Sequence, residues 1–308
     1  MLIPLGLGLL ALIGLILAAD ARKLAGRLGD FDLRLLAPVL GLSLVNYALR
    51  FVRWEVYLKA LGVRLSRARS LAVFLAGFLL SVTPGKAGEL GKAWLVREMG
   101  GGPALRVVPA VVAERVTDLL GVLILLALGA LPFPGGPWIA AAGLGAVAVA
   151  VVLLTWQRGA DLLFRLLEKL PKVGPRMHVL AEMYATLRQL LSPGLLLLAL
   201  ALATPAWAAE GVGFFLVVRQ YAPQASLLAA LFNYTVSTCL GSLSMLPGGL
   251  LAAEGSLTAL LHSQGLDTAT AASATLIIRA ATLWFAVGLG LLALPYVVRK
   301  LAEKRRSS

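Results

Sequence analysis

Three groups of charged residues stand inside or beside apolar runs, where an uncompensated charge is costly and needs either a partner or a polar path. The first is Thr83-Pro-Gly-Lys-Ala-Gly-Glu-Leu-Gly-Lys92. Gly85 and Gly88 permit turns and close backbone approach, and amides freed at a helix start can receive an anion. Lys86 adds a point charge suited to phosphate, and Lys92 is a second. Glu89 lies three residues from each lysine, within pairing reach across one helical turn. The second group is Glu114-Arg115-Val-Thr-Asp118. On a helix Glu114 and Asp118 share a face and Arg115 reaches Asp118 at i,i+3. A guanidinium there can grip two phosphate oxygens at once. The third group follows a second break, Met245-Leu-Pro-Gly-Gly-Leu-Leu-Ala-Ala-Glu254, and ends at Arg279. Together these residues could hold a phosphate-bearing group. A solvated loop for residues 84–92 and a structural ion pair for Glu114 and Asp118 are the competing readings.

The elements that position these residues belong to a membrane protein. Of the 308 residues, 59% are hydrophobic and only 14% charged, and the mean hydropathy is +0.88. Soluble domains seldom approach that balance. Residues 1–19, 33–51, 107–131, 137–156, 195–218 and 269–298 are apolar runs that approach or exceed the length needed to cross a hydrocarbon core of ~30 Å. In lipid they must be helical, because unpaired backbone groups are too costly there. Residues 1–19 lack a basic leader and read as a retained first span rather than a signal peptide. Cys239 is the only cysteine, which excludes an intrachain disulfide and a thiolate metal cluster. His178 and His262 are isolated, no nucleotide-binding signature is visible, and no cofactor is expected.

The formal charge of +13 marks membrane sidedness rather than a nucleic-acid partner. Basic residues crowd 53–69, 86–106, 158–188 and 299–306, whereas 132–136 and 263–267 carry none. The crowded loops and both termini are therefore expected on the cytoplasmic face. Arg22, Lys23 and Arg27 in the 20–32 loop violate that pattern. Residues 71–97 leave and rejoin one face, and 227–262 do the same from the other. Each is expected to be a broken or re-entrant hairpin, with its tip at Pro84 or Pro247.

The expected fold is all-α: about six full spans plus two broken hairpins, arranged as inverted repeats in a single membrane domain, 1–308. The halves are 1–156 and 191–298, joined by amphipathic cytoplasmic helices over 157–190. Arg50 and Arg53 read as snorkelling residues at the inner end of their span. Glu210 lies far from either interface, and Asn233, Tyr234 and Thr235 are neutral hydrogen-bonding groups for a headgroup or for helix packing.

The ordered set Arg50-Phe-Val-Arg-Trp54, Thr83–Lys92, Glu114–Asp118, Leu246-Pro-Gly-Gly-Leu-Leu-Ala-Ala-Glu-Gly255 and Arg279 resembles the transmembrane region of lysylphosphatidylglycerol synthases and their stand-alone relatives. That resemblance implies lipid translocation, with an anionic phospholipid or a polyprenyl-phosphate-linked sugar as substrate and the cell membrane as location. It carries over Glu89, Arg115, Glu254 and Arg279 as core motif residues. Lys86 stands where relatives often have arginine. The chain is expected to lack the soluble aminoacyl-transfer domain of the full synthases, so making lysyl-lipid is not expected of it alone. With Lys86 and Asp118 added, the six form the candidate substrate site. A membrane-embedded transferase and a non-transporting lipid-binding protein are the alternative functions.

Overall fold

The computed structural model describes residues 20–168 and 177–307, apart from the side chains at 84–86, 163–165, 167–168 and 305–307. It is an all-helical bundle, with no strand among the described residues. The expected first span, 1–19, lies outside them. The expected loop at 20–32 instead contains a short helix, α1 (Ala21–Gly29), started by the Asp20 carboxylate accepting from the Arg22 amide. It packs on the last helical run through Leu24.

Helix α2 (Leu36–Ala60), preceded by a 3-10 turn over Leu33–Leu35, crosses the bundle. Helix α3 (Arg67–Leu80) has 14 residues, about 21 Å, short of a full crossing. It stops ahead of Pro84, which has no amide proton to give and restricts the residue before it. A 3-10 segment, Pro84–Leu90, turns the chain into α4 (Gly91–Glu98). Helix α5 (Ala104–Ala130) follows with 27 residues, about 40 Å. Next come α6 (Gly136–Thr155), α7 (Gln157–Glu168) and α8 (Met177–Leu190). The second half holds α9 (Pro193–Tyr221), α10 (Leu227–Leu243), a 3-10 break at Pro247–Gly249 and α11 (Ala252–Ser263). One continuous helical run then closes the chain: α12 (Thr268–Arg279), a π-helical turn (Ala280–Trp284) and α13 (Phe285–Ser307). The basic tail expected after the last span is therefore helical, and its Lys304 reaches Glu98 at 3.1 Å.

Among the described residues four helical runs are long and apolar enough to span: Leu33–Ala60, Gly136–Thr155, Pro193–Tyr221 and Thr268–Lys304. Each contains or nearly coincides with one of the expected spans. The expected span 107–131 lies in α5, which is long enough but carries Glu114, Arg115 and Asp118 within its length. Those charges face the bundle rather than lipid. By contrast α6 buries only Gly136 and Ala140 and exposes Trp138, Val152 and Leu153. An apolar face of that size is unusual on a water-soluble monomer and ordinary against acyl chains. The protein is a multi-pass membrane protein.

Packing alternates between the halves. Helix α2 lies along α9, α3 along α13, and α10 along α5, while the two 3-10 breaks touch each other. Two apolar clusters hold these contacts, one around Trp54, Tyr57, Phe74 and Ala110, the other around Val39, Phe214, Val217 and Ile278. The middle helix α8 packs on α5, and Tyr184 Oη donates to Leu154 O at 3.2 Å, so the segment expected to lie at the interface also docks on the bundle.

Asp267 caps α12, accepting from the Thr270 amide at 3.1 Å and the Thr270 hydroxyl at 2.6 Å. It also pairs with Arg27 at 3.4 Å, which gives the rule-violating cation of the 20–32 loop a partner. These donors, the Thr270 hydroxyl foremost, hold its carboxyl below the usual aspartate range. A depressed folded-state pKa means the cap stabilises above about pH 4 and is lost as pH falls through the folded value. Replacing Asp267 with alanine is expected to cost about 1 kcal/mol, the usual worth of such a cap. Thermal unfolding in detergent should show that loss at pH 7 and a smaller difference from the parent protein below pH 3.

Candidate functional site

The charged groups meet where the two breaks touch. Asp118 on α5 is the hub: it receives Arg53 Nη2 at 2.6 Å and Trp207 Nε1 at 3.2 Å, and lies 3.0 Å from Arg115 Nη2 and 3.7 Å from Arg50 Nη2. Arg53 also donates to Thr117 Oγ1 at 3.1 Å and is fully buried. Snorkelling is thus the wrong account of Arg50 and Arg53. The turn of α2 that carries them faces α5, and three guanidiniums around one carboxylate replace the water each would otherwise seek.

Each break is tied by a glutamate to an arginine on the next long helical run. In the first half Glu89 Oε2 sits 3.1 Å from Arg115 Nε. In the second half Glu254 Oε1 accepts from Arg279 Nε at 2.6 Å, and Arg279 Nη2 donates to Gly248 O at 2.9 Å. The second tie needs an unusual backbone: Gly248 and Gly249 both have positive φ. A Cβ on Gly249 would stand 3.0 Å from the Gly241 backbone, so the break presses directly against α10.

The i,i+3 spacing of Glu89 and Lys92 does not yield their pair. Lys92 is turned inward beneath Gly77, forms a buried ion pair with Glu114 Oε2, and places its Nζ 4.6 Å from the centre of the Trp54 ring. Lys86 lies on the 3-10 segment, with its side chain outside the described residues.

Arg50, Glu89, Arg115, Glu210 and Arg279 line one cavity of about 100 Å³. Of the remaining candidates, Glu254 stands behind Arg279 and Asp118 lines the neighbouring space. Arg115 and Arg279 are partly open to the cavity, with 26% and 15% of their side chains accessible. Several polar atoms remain without a hydrogen bond: Arg50 Nε, Arg115 Nε and Nη2, Asp118 Oδ2 and Glu254 Oε2. The Arg115 Nε and Nη2 atoms are close to their carboxylates but off the hydrogen-bonding line. Tyr234, expected only as a neutral donor, gives its hydroxyl to Glu210 Oε2 at 2.6 Å. Tyr47 reaches Thr282 O at 2.7 Å, using a carbonyl in the π turn where helical pairing is irregular.

A second space of about 400 Å³ shares Arg115, Trp207, Thr238 and Gly249 with the first. Its other walls include Leu119, Val122, Leu123, Leu243 and Leu246, and it runs between α5 and α10. Leu119 and Leu243 are exposed on the outer surface. A polar chamber thus continues into an apolar groove at the bundle's flank. An amphipathic ligand fits that pair of environments: an anionic group among guanidiniums and a hydrocarbon chain along leucines. Sequence inspection missed Arg50, Arg53 and Trp207 as parts of this site. The available signal was the i,i+3 spacing of two arginines beside Trp54.

Comparison with known proteins places the chain among membrane proteins. The family model described as the lysylphosphatidylglycerol synthase TM region matches residues 2–290. A UPF0104 membrane protein of Methanothermobacter thermautotrophicus is 23% identical, covering 97% of this chain and 96% of the relative. A second UPF0104 membrane protein, from Pyrococcus horikoshii, is 21% identical, covering 84% of this chain and 86% of its own length.

Proposed function

The chain belongs to the lysylphosphatidylglycerol synthase TM region family, and from that premise we propose that it moves a phosphate-bearing lipid between leaflets. The substrate class is a phospholipid or a polyprenyl-phosphate-linked sugar. One observation carries the reading: a chamber lined by Arg115 and Arg279 opens into an apolar groove between α5 and α10. Arg115 and Arg279 hold the phosphate while the chain stays in hydrocarbon. Glu89 and Glu254 orient the two arginines and keep binding from becoming too tight to release.

The mechanism is alternating exposure of this chamber by two inverted halves, 1–156 and 191–298, with 157–190 as their connector. Support comes from the matched Glu–Arg ties and from the crossed packing of α3 on α13 and α10 on α5. The broken elements also begin near opposite ends of the 268–307 helical run. Arg69, near the start of α3, donates to Met99 O beside the Glu98–Lys304 pair, whereas Asn233 near the start of α10 bonds Gln264. The face bearing the basic clusters and both termini is cytoplasmic under this reading.

Proteoliposomes carrying fluorescent phosphatidylglycerol, or a short polyprenyl phosphate, are expected to exchange probe between leaflets faster than empty vesicles. Lipid composition should stay unchanged. Conversion of the lipid in place of exchange would make the protein a transferase. Saturable binding without exchange would make it a lipid-binding protein. Either result overturns translocation.

A further inference from the structure

The buried ionic groups around the chamber do not pair off evenly. Among the described residues the cations are Arg50, Arg53, Lys92, Arg115 and Arg279, and the carboxylates are Glu89, Glu114, Asp118, Glu210 and Glu254. Four of the carboxylates have a cation within 4.0 Å. Glu210 is the fifth. Its partner is the Tyr234 hydroxyl, and no described cation lies within ion-pair distance of it. It is nonetheless on the chamber wall, with Arg50 from α2 and Arg279 from α12 facing the same space.

With every group ionised, this set carries no net charge. An anion entering the chamber adds negative charge to a low-dielectric site and draws Arg50, Arg115 and Arg279 toward itself. Electroneutrality can be restored by neutralising one carboxylate, and each of the other four would have to give up an existing cation partner. We propose that Glu210 is a proton-binding site coupled to anion occupancy, so that one proton accompanies each singly charged lipid phosphate. This inference rests on the lipid reading above for its ligand, but not for its charge balance.

The step is a simple protonation. The Glu210 carboxylate takes H⁺ from water reaching the chamber, no bond to the lipid forms, and the proton leaves when the lipid does. Protonated Glu210 can keep the Tyr234 hydrogen bond on one oxygen and present an O–H from the other. The groups facing it from neighbouring elements are Tyr47 and Arg50 on α2, Glu89 on the first 3-10 break, Arg115 and Asp118 on α5, Tyr234 on α10, Glu254 on α11 and Arg279 on α12, and Glu89 is already held by Arg115 at 3.1 Å. Tyr47 is already committed to a backbone carbonyl, Asp118 is surrounded by guanidiniums, and Glu254 is bound by Arg279. Glu210 is the group left to take the proton.

Titration calorimetry on the full chain in phosphatidylcholine nanodiscs tests this, using dihexanoyl phosphatidylglycerol as probe in buffers of different ionisation enthalpy. Uptake of about one proton per lipid is expected, with affinity falling as much as tenfold per pH unit while Glu210 titrates. Glu210→Gln, which keeps an acceptor for Tyr234, should abolish uptake and flatten that dependence, and Glu210→Asp should restore both. Lipid binding with no proton uptake, or equal uptake by Glu210→Gln, overturns the proton site and leaves the lipid reading standing. Inorganic phosphate binding as tightly as the lipid, with the same Glu210-dependent uptake, supports the proton site and sinks the lipid reading alone. No binding of either probe overturns both.

Discussion

Replacing Arg279 with glutamine is expected to lower leaflet exchange by roughly 100-fold, because a charge-assisted phosphate contact is worth about 2–3 kcal/mol. That variant also leaves Glu254 buried without its cation, and breaking a buried pair costs about 3–5 kcal/mol of stability. The two effects separate in the double variant Glu254→Gln/Arg279→Gln, whose amides can bond one another. Its thermal midpoint should recover most of the loss while exchange stays at the lowered rate. Arg115→Gln is the cleaner single probe. Glu89 loses the Arg115 ion pair, but Asp118 would still be held by Arg53 at 2.6 Å and faced by Arg50, so only one of the two carboxylates that Arg115 serves is given up for a comparable loss of exchange. Exchange at the parental rate in both Arg115→Gln and the double variant would remove the phosphate clamp.

Much of this site was legible because its parts break local rules. A Pro-Gly-Lys break after an apolar run, and a Pro-Gly-Gly break in the other half, mark interrupted elements, and Arg115 and Arg279 had to find partners. Their pairing with Glu89 and Glu254 was inferable only as a possibility, since separation along the chain carries no information about contact. What failed had a common physical origin. Arg50 and Arg53 were placed by their depth along a helix, whereas burial depends on which way the helix is rotated. Rotation is set by packing of α2 against α9 and α5, a property of the assembled bundle. Helical spacing put Glu89 within reach of both Lys86 and Lys92, yet Lys92 turns inward to Glu114 and the Trp54 ring, a choice set by the packing of α4 on α5 rather than by spacing. Helix α1 escaped notice because nine residues with three basic side chains give little apolar signal.

The Lys92–Glu114 pair yields the second large effect, this time on folding. Lys92 is 3% exposed and Glu114 fully buried, and Glu114 Oε1 has no hydrogen-bond partner. Converting Lys92 to methionine preserves the aliphatic stem against Gly77 but leaves a lone carboxylate in the core, at an expected cost of about 3–5 kcal/mol. Glu114→Leu alone should cost less, because the Lys92 ammonium keeps the Trp54 face as a partner, worth about 0.5–2 kcal/mol. With both changes, Lys92→Met/Glu114→Leu, neither charge remains to be desolvated and stability should return close to that of the parent. Unfolding midpoints in detergent would then show a coupling of several kcal/mol, whereas additive losses would mean that Lys92 and Glu114 do not stabilise one another. Neither residue lines the chamber or the groove. The double variant should therefore still exchange lipid, which distinguishes an ion pair that only holds α4 to α5 from the arginines that meet the substrate.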